Sequence, residues 1–201
     1  YELRGHSCLG LEEVVNKKSI TVSRSFGNMI SDKDNLEKAL ANHVARAAEK
    51  LRYQDSICSG VYIFLNTNRF RKQDAQYSNC AVINFDEPTN NTVIIIKESL
   101  KLLESIYRSN YSYKKVGVTL LDIKQNSKNN IESNDVIQSN LFMYTKNRQN
   151  NKESESCMKL LDDLNTRMGK MTLFYGSQGT QKQSRKIKIN KDKWLMKSSY
   201  K

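Results

Sequence analysis

The sequence has little of what usually settles a function at a glance. Its four cysteines, Cys8, Cys58, Cys80 and Cys157, are far apart and form no C-x-x-C pair, so neither a zinc site nor a disulfide framework is indicated. They read as reduced thiols, mostly in the core. No apolar run approaches the roughly 20 residues that a membrane span needs. The amino end, YELRGHSCLG, lacks a basic-then-apolar signal pattern. A soluble cytoplasmic protein with no membrane partner is expected. Adjacent acidic pairs are few: Glu12 with Glu13, Asp86 with Glu87, and Asp162 with Asp163. Neighbours on a helix or turn point apart, so these pairs read as surface charges and not as metal or acid–base sites. No cofactor is expected in this chain. It does not begin with Met, and its opening reads as the interior of a longer protein.

Positive charge is what the chain has in excess. Lysines and arginines number 33 against 21 acidic residues, a formal +12 spread along the whole length. That balance favours a polyanionic partner, nucleic acid before an anionic membrane.

The apolar pattern places the elements. Ile20 and Val22 alternate with Ser19, Thr21 and Ser23, the period of a half-buried strand. From Ser31, read as an N-cap with Asp34 at the capping-box position, Leu36, Leu40, Val44, Ala47 and Leu51 recur at helical spacing. VYIFLNTN, 61–68, reads as a central strand with apolar residues on both faces, and CAVINF, 80–85, as a third strand. The loop between them, RFRKQDAQYSN, is basic at its start. After turn signals around Pro88 to Asn91, a second helix carries Ile96, Leu100, Leu103 and Ile106 or Tyr107. KKVGVTLLDI, 114–123, closes the block as a strand. The order β-α-β-β-α-β, with two helices for four strands, predicts an α+β fold with both helices on one face and an open sheet on the other.

The open face is the candidate binding surface. An RNA-recognition motif is disfavoured, because YSNCAVINF lacks the K/R-G-F/Y-G/A-F-V pattern and the first strand offers hydroxyls where an aromatic is needed. Hydroxyls, lysines and a glycine suit a reader of sugar-phosphate backbone. The expected contacts are Ser23, Arg24 and Ser25 at the end of the first strand, with Phe26 turning into the core and Gly27 permitting the turn. Thr67, Asn68, Arg69 and Arg71 follow the second strand, and Lys114 and Lys115 open the fourth. No catalytic residue is assigned.

Beyond 124 the chain is rich in Asn, Ser, Lys, Gln and Glu, a composition that favours a flexible tether. Within it lies an apolar island, Val136 to Tyr144. A helical stretch, CMKLLDDLN, then a strand-like TLFYG and basic residues around Trp194 complete the chain.

The stretches ELRGHSCLGLEE, SRSFG, ALANHVARAAEKLR, SIYRSNYSYKKVGVTLLDI, QSNLF and LLDDLNTRMGKMTLFYGSQG, followed by W-L-M, resemble the carboxy-terminal part of Y-family DNA polymerases of the UmuC type, in the family's order. The resemblance implies a connecting arm from a thumb domain at 1–17, a little-finger DNA-binding domain at 18–124, a tether at 125–153 and a shortened C-terminal region at 154–201. It implies a role in translesion synthesis during SOS mutagenesis, and duplex primer-template DNA as partner. UmuD-like subunits and RecA are implied as further partners. The palm carboxylates that would hold Mg2+ in the parent enzyme lie in segments this sequence does not include, so no polymerase activity is expected of this chain alone. QSNLF resembles the peptide by which bacterial polymerases bind the sliding clamp, with Gln138, Leu141 and Phe142 as its contacts. A Q-x-x-L-F arises by chance in a chain of this length roughly 3% of the time. Two other readings stand beside this one: an RNA-binding module, with GSQG at Gly176 to Gly179 in the form of a KH loop, and a purely structural interaction domain.

Overall fold

The alternation that begins at Ile20 continues further than the sequence pattern alone implies. In a computed structural model, which describes residues 2–5, 16–126 and 147–179, the first strand, β1, spans Ile20–Ile30. SRSFG therefore lies inside the strand, not in a turn after it. Helix α1, Lys33–Tyr53, is capped by Asp32 and not by Ser31. The Asp32 carboxylate accepts the Asn35 N–H at 3.3 Å, and its charge also suits the positive end of the helix. The expected stripe Leu36, Leu40, Val44, Ala47 and Leu51 is fully buried, together with Ala41 and Ala48.

Strands β2, Ser56–Thr67, and β3, Ser78–Thr89, both outrun their apolar segments because pairing continues through polar residues. Pro88 falls near the end of β3, an edge strand, where a missing N–H is tolerated. Asn91 caps helix α2, Thr92–Ile106, by accepting the Val93 N–H at 2.9 Å. Strand β4 follows at Tyr113–Gln125.

The sheet order is β1-β4-β2-β3, with every neighbouring pair antiparallel. Each β-α-β unit thus joins two parallel strands that have one strand between them, and α1 and α2 pack side by side on one face. This is the expected α+β architecture, a four-stranded sheet with two helices on one face. Val61, Ile63 and Leu65 of β2 and Val116, Val118 and Leu120 of β4 meet the helices in one fully buried core. Cys58 shares that core, and burial pushes its thiol up to about 12. Cys80 and Cys157 are exposed, contrary to the core placement expected of most cysteines, because each falls on an outward position of its element.

Helix α3, Asn147–Met168, begins inside the stretch assigned to the tether and is longer than CMKLLDDLN suggests. TLFYG forms no strand, since no sheet edge receives it. Tyr175 instead packs on the core margin, its hydroxyl 3.0 Å from Met158 Sδ, and a short 3₁₀ turn follows at Gly176–Gln178. GSQG is therefore not directly preceded by an α-helix, as a KH loop would be.

Arg52 fastens α3 to the rest, beside a hydrogen bond from Asn91 Nδ2 to Ser154 Oγ at 2.6 Å. Arg52 Nε donates to Asp162 Oδ2 at 2.6 Å and Nη2 donates to Oδ1 at 2.9 Å, while Nη1 reaches the Asn90 carbonyl at 2.9 Å and Thr92 Oγ1 at 2.7 Å. Asp162 is thus an anchor and not merely a surface charge, whereas Asp163 faces outward toward Arg167. Replacing Arg52 by alanine leaves a carboxylate and a carbonyl without their donor. Because Asp162 keeps 27% of its side chain exposed, the expected loss is about 2 kcal/mol, below that of a fully buried pair. Chemical denaturation of Arg52→Ala checks this, and wild-type stability in the variant would show that α3 does not depend on the pair.

Candidate nucleic-acid interface

Register places the residues of the open face in rows that cross all four strands. One row reads Ser25, Lys115, Asn66, Ser78. The next reads Ser23, Gly117, Phe64, Cys80, and the third Thr21, Thr119, Tyr62, Val82. Thr21 and Thr119 are joined through their hydroxyls at 2.9 Å. At Gly117 a side chain would collide with the Phe64 ring at 2.3 Å and with Ser23 Cβ at 2.6 Å, so the glycine is what lets that ring lie across the sheet. Lys115 Nζ sits 5.5 Å from the Phe64 ring centroid, a cation–π contact that steadies the ammonium. Tyr62 stands next to Phe64, ring centroids 6.0 Å apart. Its hydroxyl is held above its usual range, chiefly by the hydrogen bond with Cys80.

The expected contact residues divide into several groups. Ser23, Ser25 and Lys115 share the open face. Arg24 does not: it pairs with the buried Val116, so strand alternation turns it toward the helix side of the β1 edge. Gly27 makes no turn. Pairing is interrupted between Ser25 and Ile30, and there Lys114 Nζ donates to the Phe26 carbonyl at 2.6 Å, with the Gly27 carbonyl at 3.4 Å. Lys114 is therefore committed to holding β1 through the irregularity, while Phe26 packs against the core as expected.

At the β2–β3 connection Thr67 and Asn68 build the loop. Thr67 Oγ1 donates to the Tyr77 carbonyl at 3.1 Å and accepts the Tyr77 N–H at 2.9 Å, and Asn68 Oδ1 accepts the Phe70 N–H at 3.1 Å. Arg69 is exposed. Arg71 is exposed too, with Nη1 3.6 Å from Asp74. Gln138, Leu141 and Phe142 lie outside the described residues.

Among the described residues no cluster of His, Cys, Asp or Glu could hold a metal ion, and no helix is long and apolar enough to cross a membrane. Residues 17–134 match the family described as the impB/mucB/samB family C-terminal domain. The chain belongs to the impB/mucB/samB family. Residues 155–201 match a domain of unknown function (DUF4113). Protein UmuC of Salmonella typhimurium is 37% identical over 183 residues, 90% of this chain and 41% of that protein. Protein ImpB of Salmonella typhimurium is 37% identical over 180 residues, 89% and 40% respectively. MucB of Escherichia coli is 35% identical over 179 residues, 89% and 39%. The chain thus spans about two-fifths of the length of these relatives.

Two solved structures show a looser likeness. One is a complex of the beta-clamp processivity factor and the little finger domain of PolIV, at TM-score 0.40 and 14% identity, covering 51% of this chain and 86% of that one. The other is an insertion ternary complex of Dbh DNA polymerase, at TM-score 0.44 and 13% identity, covering 54% and 29%.

In this impB/mucB/samB chain the sequence reading missed three features. Tyr62 and Phe64 were legible only as apolar residues on both faces of β2, although their alternation with Val61, Ile63 and Leu65 already assigned them a common side. Phe70 gave no periodic signal, since it lies in a loop. His43 on α1 was passed over within the helical stripe. It is held neutral, its pKa lowered to about 4 by burial first and then by Arg46 and Arg24, and its Nε2 has no hydrogen-bond partner among the described residues. The folded protein excludes a proton that the unfolded chain accepts below about pH 6.5. The His43 contribution to stability is therefore constant above pH 7 and falls as the pH drops through 6.5 toward 4, by roughly 2 kcal/mol at pH 5. Thermal melts across this range check the decline, which His43→Gln should flatten. An equally steep decline in that variant would place the linkage elsewhere.

Proposed function

We propose that this chain is the non-catalytic DNA-binding region of a UmuC-type, Y-family translesion polymerase, gripping duplex DNA by its phosphate backbone. The observation that carries the reading is the open-face row Ser25, Lys115, Asn66, Ser78, with Ser23 and Thr21 beside it. Small hydroxyls let phosphate oxygens approach, and the lysine, held over Phe64, supplies the charge that displaces counterions. Arg69 extends the cationic edge into the β2–β3 loop. On the same reading, Gln138, Leu141 and Phe142 dock on the bacterial sliding clamp and bring the enzyme to the primer terminus. Nucleotidyl transfer, its Mg2+, and any contact with UmuD-like subunits or RecA during SOS mutagenesis belong to the assembled parent enzyme.

The aromatic pair Tyr62 and Phe64 on the open face favours one other reading, a single-stranded RNA platform. Titration with duplex DNA and with single-stranded RNA at several salt concentrations separates the two. Duplex preference, little sequence selectivity and a steep salt dependence support the first. Tight, sequence-selective RNA binding would eliminate it, and no binding to either would leave an interaction domain whose charge serves solubility.

A further inference from the structure

The β2–β3 connection presents an aromatic ring to solvent on a rigid mount. Phe70 is 86% exposed. Single exposed apolar residues are ordinary, but the backbone beneath this one is tied down. Asn68 Oδ1 accepts the Phe70 N–H, the Arg71 N–H donates to the Asn68 carbonyl at 3.1 Å, and the Asp74 N–H donates to the Arg71 carbonyl at 3.2 Å. The Gln76 amide nitrogen lies between the carbonyls of Asn68, Arg71 and Asp74, at 3.2, 2.8 and 3.0 Å. Below the loop Tyr77 stacks against Tyr111 at 4.9 Å, and its hydroxyl donates to the Ile106 carbonyl at 2.6 Å. The loop is thus ordered before any ligand arrives, which lowers the cost of binding.

The charge around the ring is mainly positive, with Asp74 3.6 Å from Arg71 as the acidic exception. Arg69, Arg71 and Lys72 are exposed beside it, and the open-face row that contains Lys115 is the last before this loop. An uncovered aromatic among cations suits a polyanion that carries free π faces. A base inside a duplex is covered above and below by its neighbours, whereas an unpaired base has a face to offer. We propose that Phe70 is a stacking site for an unpaired nucleobase in single-stranded DNA adjoining the duplex, with Arg69 and Lys72 holding the flanking phosphates. This rests on the duplex-backbone reading above and extends it to the single-stranded side of a junction.

The test compares a blunt duplex with the same duplex carrying a single-stranded overhang that contains a fluorescent adenine analogue quenched by stacking. Phe70→Ala should weaken overhang binding roughly tenfold, remove the quenching and leave blunt-duplex affinity unchanged. Phe70→Tyr, which keeps the ring, should retain both signals. Equal affinity of Phe70→Ala and wild type for the overhang overturns the proposal, as it would if the ring served a protein partner, and so does an equal loss on both probes. Ring-dependent overhang binding without any blunt-duplex binding would uphold the stacking site and overturn the backbone reading. Duplex binding with a silent Phe70→Ala would do the reverse.

Discussion

Neutralising Lys115 and Arg69 together, as Lys115→Gln with Arg69→Gln, is expected to weaken duplex binding about sixtyfold at 0.1 M salt. Each phosphate contact releases about 0.9 of a counterion, worth roughly eightfold in affinity between 1 M and 0.1 M salt, and two independent contacts multiply. The slope of log K against log salt should become shallower by about 1.8. Lys115 lies on the open face over Phe64 and Arg69 leads the β2–β3 loop. Arg24 is the control, because register turns it to the helix side. If Arg24→Gln weakened binding as much as Lys115→Gln, the contact would not be made by the open face. Lys114→Gln tests another point: with its ammonium on the Phe26 carbonyl, its loss should appear first in stability and only secondarily in affinity.

Replacing Leu141 and Phe142 by alanine should abolish binding to the bacterial sliding clamp and leave duplex affinity untouched. A Leu or Phe side chain moved from water into an apolar pocket contributes about 1.5–3 kcal/mol. Losing both costs about 3–6 kcal/mol, more than a hundredfold in Kd. Gln138→Ala removes only edge hydrogen bonding, about 1 kcal/mol. Surface plasmon resonance on immobilised clamp measures the three variants, and unchanged affinity in the double variant would refute the assignment. The duplex measurement separates this outcome from a failure of the DNA-binding reading, since the open face and residues 138–142 are proposed to act on different partners.

The two groups of expected contacts were legible to different degrees, for physical reasons. The serines of SRSFG fall on the open face because alternation holds from Ile20 to Ser25, and the same alternation excludes Arg24 from their company. What hid this was the assumed end of the strand: Phe26 and Gly27 look like a turn, yet the chain stays extended because Lys114 takes up carbonyls where pairing with β4 lapses. No local pattern announces a lysine some 90 residues away. The polarity of Thr67 and Asn68 suggests contacts, and in the structure their side chains are bonded within the loop that displays Phe70. Polar residues at a strand end serve backbone satisfaction as readily as ligand binding, and only the bonded partners tell which.

The sequence by itself determined the order of the elements that build the sheet layer, the buried stripe of α1, most of that of α2, the alternation from Ile20 to Ser23, and the strong positive charge. These follow from periodicity and composition, which act within one segment at a time. Only the tertiary structure decided that Tyr62 and Phe64 sit beside Lys115, that Arg52 fastens α3 through Asp162, and that Phe70 stands on a pinned loop. Each of these joins residues distant in the chain, and such contacts are chosen by strand register and helix docking, where competing arrangements differ in packing and hydrogen-bond satisfaction and not in local pattern.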